Sequence, residues 1–150
     1  MVLDGANRVE DLVKLAVHHQ MPAIALTDHG VMHGAVEFAT RCREEGVKPL
    51  IGCETYTSGA RSRLGRDPSA DKNYAHLLLL AQNETGYRNL VKMVSLASTE
   101  GFYYKPRIDH ELLAANSEGL ICTSAYLSGE LSKALIAGQY ERARDTAALY

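Results

Sequence analysis

Three apolar runs in this chain abut residues that do chemistry, and nothing else in the sequence constrains the fold as strongly. Ala23-Ile24-Ala25-Leu26-Thr27 is followed at once by Asp28, His29 and Gly30. A buried strand with an acid and an imidazole at its C-terminal tip, and a glycine to let the chain turn, is how α/β folds present metal ligands or acid/base groups. Pro49-Leu50-Ile51-Gly52-Cys53 likewise ends in Glu54, and Tyr74-Ala75-His76 stands at the mouth of Leu77-Leu78-Leu79-Leu80-Ala81. His29, Glu54 and His76 are therefore three candidate ligands on successive strands.

The segments between these runs read as helices. Val9, Leu12, Val13, Leu15 and Ala16 recur at helical spacing and predict a helix over 8–19, with Asn7 and Glu10 as a capping-box variant. Val36, Phe38, Ala39 and Cys42, stopped by Gly46, predict a second helix. Strands are expected at 21–28, 47–56, 74–81 and 119–123, and further helices at 84–98, 108–115, 128–137 and 140–150. The aromatic segment 101–106 reads as a loop. Alternating helices and apolar strands without a period of two are the mark of a parallel sheet covered by helices. A β/α barrel and an open doubly wound sheet both satisfy that pattern, and in either the chemistry belongs at the C-terminal strand ends.

A length of 150 residues fits one domain. The net charge of −2 provides no general basic field, so any nucleic-acid contact has to be local. The three cysteines, Cys42, Cys53 and Cys122, form no CxxC pair, which argues against a disulfide scaffold and a zinc knuckle and suits a reducing cytoplasm. No apolar stretch reaches the roughly 18 to 20 residues of a membrane span, and no signal peptide opens the chain, so a cytoplasmic protein without a membrane partner is expected.

Imidazoles with a bridging carboxylate suit zinc or manganese, and such sets present water as a nucleophile to phosphoesters. Asp28 is either a ligand itself or a carboxylate that orients the His29 ring. His33 is a weaker candidate, His18 and His19 close the first helix, and His110 reads as a surface residue. The long polar loop over 57–73 holds Arg61, Arg63, Arg66 and Lys72. It is either a phosphate-neutralising element beside the site or a solvated mobile loop. No GxGxxG, GxxxxGK[ST] or Gx[SC]xG motif is present, which removes those phosphate-binding and covalent-hydrolase readings.

Several segments carry a resemblance. Leu3-Asp4-Gly5-Ala6, Ala25-Leu26-Thr27-Asp28-His29-Gly30, Gly34-Ala35-Val36-Glu37-Phe38, Ile51-Gly52-Cys53-Glu54, Asn83-Glu84-Thr85-Gly86-Tyr87-Arg88-Asn89-Leu90 and Gly101-Phe102-Tyr103-Tyr104-Lys105-Pro106-Arg107-Ile108-Asp109 resemble the PHP (polymerase and histidinol phosphatase) domain of bacterial DNA polymerase III alpha subunits. The resemblance spans essentially the whole chain. It implies a distorted seven-stranded β/α barrel with up to three metals at the strand ends, and it adds Asp4 to His29, Glu54 and His76 as a metal ligand.

The family's HxH motif, expected just before Leu3-Asp4-Gly5-Ala6, and its later DxH pair are both missing from residues 1–150, so these read as a partial PHP domain, truncated at both ends. Tyr126 stands where the family usually has a cysteine, and a phenol is a poor substitute for a thiolate on zinc. Open barrel edges lead to the expectation that the isolated segment self-associates and binds metal weakly.

For the full-length protein the resemblance implies DNA-directed DNA synthesis by other domains, with magnesium, DNA and the other polymerase III holoenzyme subunits as partners. The PHP site is then structural or supports 3′-5′ exonuclease activity. Two competing readings are a stand-alone PHP phosphatase for a small phosphomonoester and a non-catalytic scaffold of the polymerase.

Overall fold

The computed structural model describes residues 5–71 and 73–150. The chain runs through α1 (Val9–His18), β1 (Ala23–Leu26), α2 (Ala35–Glu44), β2 (Lys48–Thr57), β3 (Ala75–Ala81), α3 (Glu84–Thr99), β4 (Phe102–Tyr103), β5 (Lys105–Ile108), α4 (His110–Ala114), β6 (Leu120–Thr123), α5 (Glu130–Ile136) and α6 (Tyr140–Leu149). A 3-10 turn at Tyr126–Ser128 precedes α5.

The strands form one mixed sheet in the order β4-β5-β2-β3-β6, with β1 also paired to β2. The expectation of a parallel sheet is corrected here. β1 and β5 run parallel to β2, but β3 is antiparallel to both β2 and β6. The reason lies in the connection: the described residues between β2 and β3 form no crossover helix, and a helix-length crossover is what parallel neighbours require. The uniform leucine run of β3 hid this, because its alternation is one of burial rather than residue type. Leu77 and Leu79 are fully buried, while Leu78 and Leu80 are half-buried.

Helices cover one face of the sheet. α1 and α2 bury Val13, Ala16, Phe38 and Cys42 against Ile24, Leu26 and Ile51. α3 buries Leu90, Met93 and Ala97 against Cys53, Leu77, Leu79 and Ile108. Gly86 permits that second contact. A Cβ there would collide with the Gly119 carbonyl, and the Gly86 amide donates to Asn83 Oδ1 at 3.0 Å, capping α3.

Two local expectations change. The first turn of α1 is capped at Arg8 without a side-chain hydrogen bond, and Glu10 pairs with Lys14 at 2.6 Å instead of closing a capping box. The aromatic segment expected as a loop is a short hairpin, β4 and β5, hinged on Tyr104 at a left-handed φ of 59°. α4 consequently starts later than the sequence suggests, at His110, with Asp109 Oδ1 accepting from the Leu112 amide at 2.9 Å. No described helix is long and apolar enough to cross a membrane.

Candidate metal centre

The face of the sheet opposite the helices carries the chemistry. The β1 register continues past Leu26 to a bridge between His29 and Glu54, with Gly30 N donating to Glu54 O and Glu54 N to Asp28 O, each at 3.0 Å. Paired residues of parallel strands share a face, so His29 and Glu54 point the same way. On the other edge of β2, His76 stands opposite Tyr56. Glu54 and Tyr56 are two apart and hence on one face, which brings His76 to the same side.

His29, Glu54 and His76 each offer a ligand atom within 4.8 Å of the others. His76 Nδ1 lies 2.5 Å from Glu54 Oε1, and His29 Nδ1 lies 3.6 Å from the same oxygen. The two rings are 6.1 Å apart, centroid to centroid, nearly perpendicular. Two imidazoles and one carboxylate are a donor set that zinc and manganese take, with positions left over for water or substrate. This trio fits a divalent metal.

Tyr56 holds the two rings in place. It meets His76 edge-on at 5.0 Å, stacks with His29 at 6.5 Å, and meets Tyr74 edge-on at 5.1 Å. Burial pushes its phenol pKa up, with the Lys105 charge opposing. The turn after His29 fits against it. Gly30 adopts φ 69°, and a Cβ there would lie 2.8 Å from Pro106 Cγ and 3.0 Å from Tyr56 Cε2. The strand pattern gave no reason to single out Tyr56; a period of two counted from Glu54 is the signal that finds it.

Not every candidate joins the trio. Asp4 lies outside the described residues, as does Lys72. Asp28 precedes His29 on an extended strand and so points to the helix side, where its Oδ2 lies 3.4 Å from the place a Gly34 Cβ would occupy. It is therefore neither one of the clustered ligands nor placed to orient His29 from the same face. His33, His18 and His19 are exposed. Tyr126 follows Ala125 in a left-handed pair (φ 41° and 46°) and is 69% exposed. The same turn bridges Gly129 to His76.

His110 corrects another expectation. It is a half-buried residue whose Nε2 lies 2.9 Å from Glu130 Oε2, and Tyr150 donates its hydroxyl to that oxygen at 2.6 Å. Burial, followed by that hydrogen bond, pushes the Tyr150 phenol up.

The arginines of the loop are tied to the protein by hydrogen bonds, with Arg61 and Arg66 still exposed. Arg107, fully buried on β5, donates Nη1 to Asp71 O, Nη2 to Arg63 O and Gly65 O, and Nε to Gly101 O, at 2.7 to 3.2 Å. Arg63 pairs with Glu100 at 2.7 Å and Asp109 at 3.3 Å. Arg61 donates to Asn73 O, and Arg66 to the carbonyls of Arg63, Gly65 and Glu100. Burial alone would raise the Asp109 carboxyl. The amides of Arg63 and Leu112 and the Arg63 charge outweigh it and hold the group below its usual range.

An apolar, helix-covered sheet with two imidazoles and a carboxylate at one end defines an α/β domain with a donor set that could hold a metal. The chain belongs to the PHP domain family, whose model matches residues 1–150. It is 47% identical over 150 residues to the DNA polymerase III subunit alpha of Treponema pallidum, covering 99% of this chain and 13% of that protein. It is also 46% identical over 145 residues to that of Chlamydia trachomatis (96% and 12%), and 44% identical over 150 residues to that of Deinococcus radiodurans (95% and 11%). The chain thus spans 11–13% of the length of these relatives. A solved metal-dependent phosphoesterase from Bifidobacterium adolescentis aligns with a TM-score of 0.40 and 17% identity, over 95% of this chain and 50% of its own.

Proposed function

We propose that residues 1–150 are the N-terminal PHP segment of a replicative DNA polymerase III alpha subunit, and that His29, Glu54 and His76, with Asp4, hold a divalent metal, zinc or manganese. The observation that carries the reading is the meeting of two imidazoles and one carboxylate from three strands, in a chain so similar to alpha subunits. In the full-length protein, other domains carry DNA-directed DNA synthesis with magnesium, in the cytoplasm and together with the other holoenzyme subunits.

The site is structural or supports removal of 3′-terminal nucleotides. A metal bound there supplies a water nucleophile at neutral pH and a Lewis acid for a phosphoryl oxygen. The chain's own residues set the geometry: Glu54 fixes the His76 ring through Nδ1, and Tyr56 buttresses both imidazoles. The full-length protein is the material for the test. Bound metal, measured by elemental analysis, is expected to fall on His29→Ala and Glu54→Ala, and unchanged metal refutes the ligand assignment. Metal-dependent excision of mismatched 3′ ends, if unaffected by both substitutions, refutes the nucleolytic version and leaves the structural one.

A further inference from the structure

A phosphoester carries negative charge, so a cation beside the metal ligands favours its binding, and the arginines of the 58–74 loop already hydrogen-bond to the protein. Arg61, Arg63, Arg66 and Arg107 are each bound to carbonyls or carboxylates of the protein, and Lys133 donates to Tyr74 O at 2.7 Å. Lys105 differs. It opens β5, which runs alongside β2 with Arg107 opposite Tyr56, and its Nζ lies 5.2 Å from the centre of the Tyr56 ring. Among the described residues it has no carboxylate within ion-pair distance.

The ring under Lys105 is the one that braces His29 and His76. The ammonium is therefore held one aromatic ring away from the ligand trio, with no ion pair among the described residues. Beside its contact with Tyr56, an ammonium has further N–H donors to offer, which is what a phosphate oxygen needs. Resting on the metal-site reading above, we propose that Lys105 binds a phosphate oxygen of the substrate at the His29–Glu54–His76 site. The phosphate belongs either to a nucleic-acid strand or to a free phosphate compound.

Chemical footprinting of the full-length protein tests this locally. Acetylation of Lys105 is followed by peptide mass spectrometry, with exposed Lys92 as the reference, in the presence of manganese and either inorganic phosphate or single-stranded dT6. At ten times the dissociation constant of a probe, Lys105 acetylation is expected to slow about 10-fold with Lys92 unchanged. Slowing by both probes supports a single bound phosphate, and slowing by dT6 alone supports a strand phosphate. Unchanged Lys105 acetylation with both probes overturns the proposal. Bound manganese is measured on the same samples, so a protein that holds none fails the metal reading, while the footprint still decides Lys105.

Discussion

His76 stands opposite Tyr56 in the β2–β3 ladder, yet its Nδ1 reaches diagonally to Glu54 Oε1 at 2.5 Å. That diagonal is available only because β3 runs antiparallel. His76 lies at the N-terminal end of its strand, and a parallel β3 would have carried it to the end of the sheet away from His29 and Glu54. The reversed strand brings its first residues to the last residues of β2, and diagonal neighbours on one face are within reach of long side chains.

Glu54 touches both imidazoles, so its loss is expected to cost more metal than the loss of either histidine. Glu54→Gln keeps the shape and removes the charge. Bound zinc or manganese in the full-length protein is expected to fall at least about tenfold, with the circular dichroism spectrum unchanged. Parental metal content in Glu54→Gln would contradict this.

Arg107 organises the loop between β2 and β3. Replacing it with Met leaves the carbonyls of Asp71, Arg63, Gly65 and Gly101 without their donor. The expected cost is about 2–4 kcal/mol, read by urea unfolding, together with new proteolytic cleavage between residues 58 and 74. Cleavage appearing elsewhere first would show that the loop has other anchors.

Asp109 makes stability depend on acid. Its folded pKa is held below the ordinary carboxylate value, so its contribution is complete above about pH 4 and is lost as pH falls through the folded pKa. Asp109→Asn is expected to be less stable than the parent at pH 7, with the gap narrowing toward pH 3 in urea titrations. A gap independent of pH would place the effect in packing alone.

Gly30 links the turn to Tyr56. Gly30→Ala costs about 1–2 kcal/mol for the left-handed conformation alone, and the methyl group also presses on Pro106 and the Tyr56 ring. A lower melting temperature with weakened metal binding is expected. Gly34→Ala meets Leu26 and the Asp28 side instead, at an ordinary φ, and is expected to leave metal binding intact.

Much of the fold was legible in local pattern. Helical spacing marked α1, α2 and α3 to within one or two residues, because each buries one stripe against the sheet. The apolar runs marked β1, β2 and β3. β4 and β5 escaped notice because a hairpin of two and four residues, hinged on a tyrosine with positive φ, carries no periodicity to read. Arg107 was unremarkable in the sequence for a related reason. Its partners are backbone carbonyls, which no residue type reveals.

Residue chemistry and strand-end position were enough, without any coordinates, to single out His29, Glu54 and His76 as candidates, since three such groups beside successive apolar runs point to a shared site where one alone would not. Tertiary structure alone decided that the three converge, that Asp28 faces the helices, and that Arg107 ties the loop's carbonyls together. Those outcomes depend on strand direction and on which face a residue occupies. Both are set by pairing between segments far apart in the chain, where a shift of one residue or a reversal of direction leaves the composition of every segment unchanged.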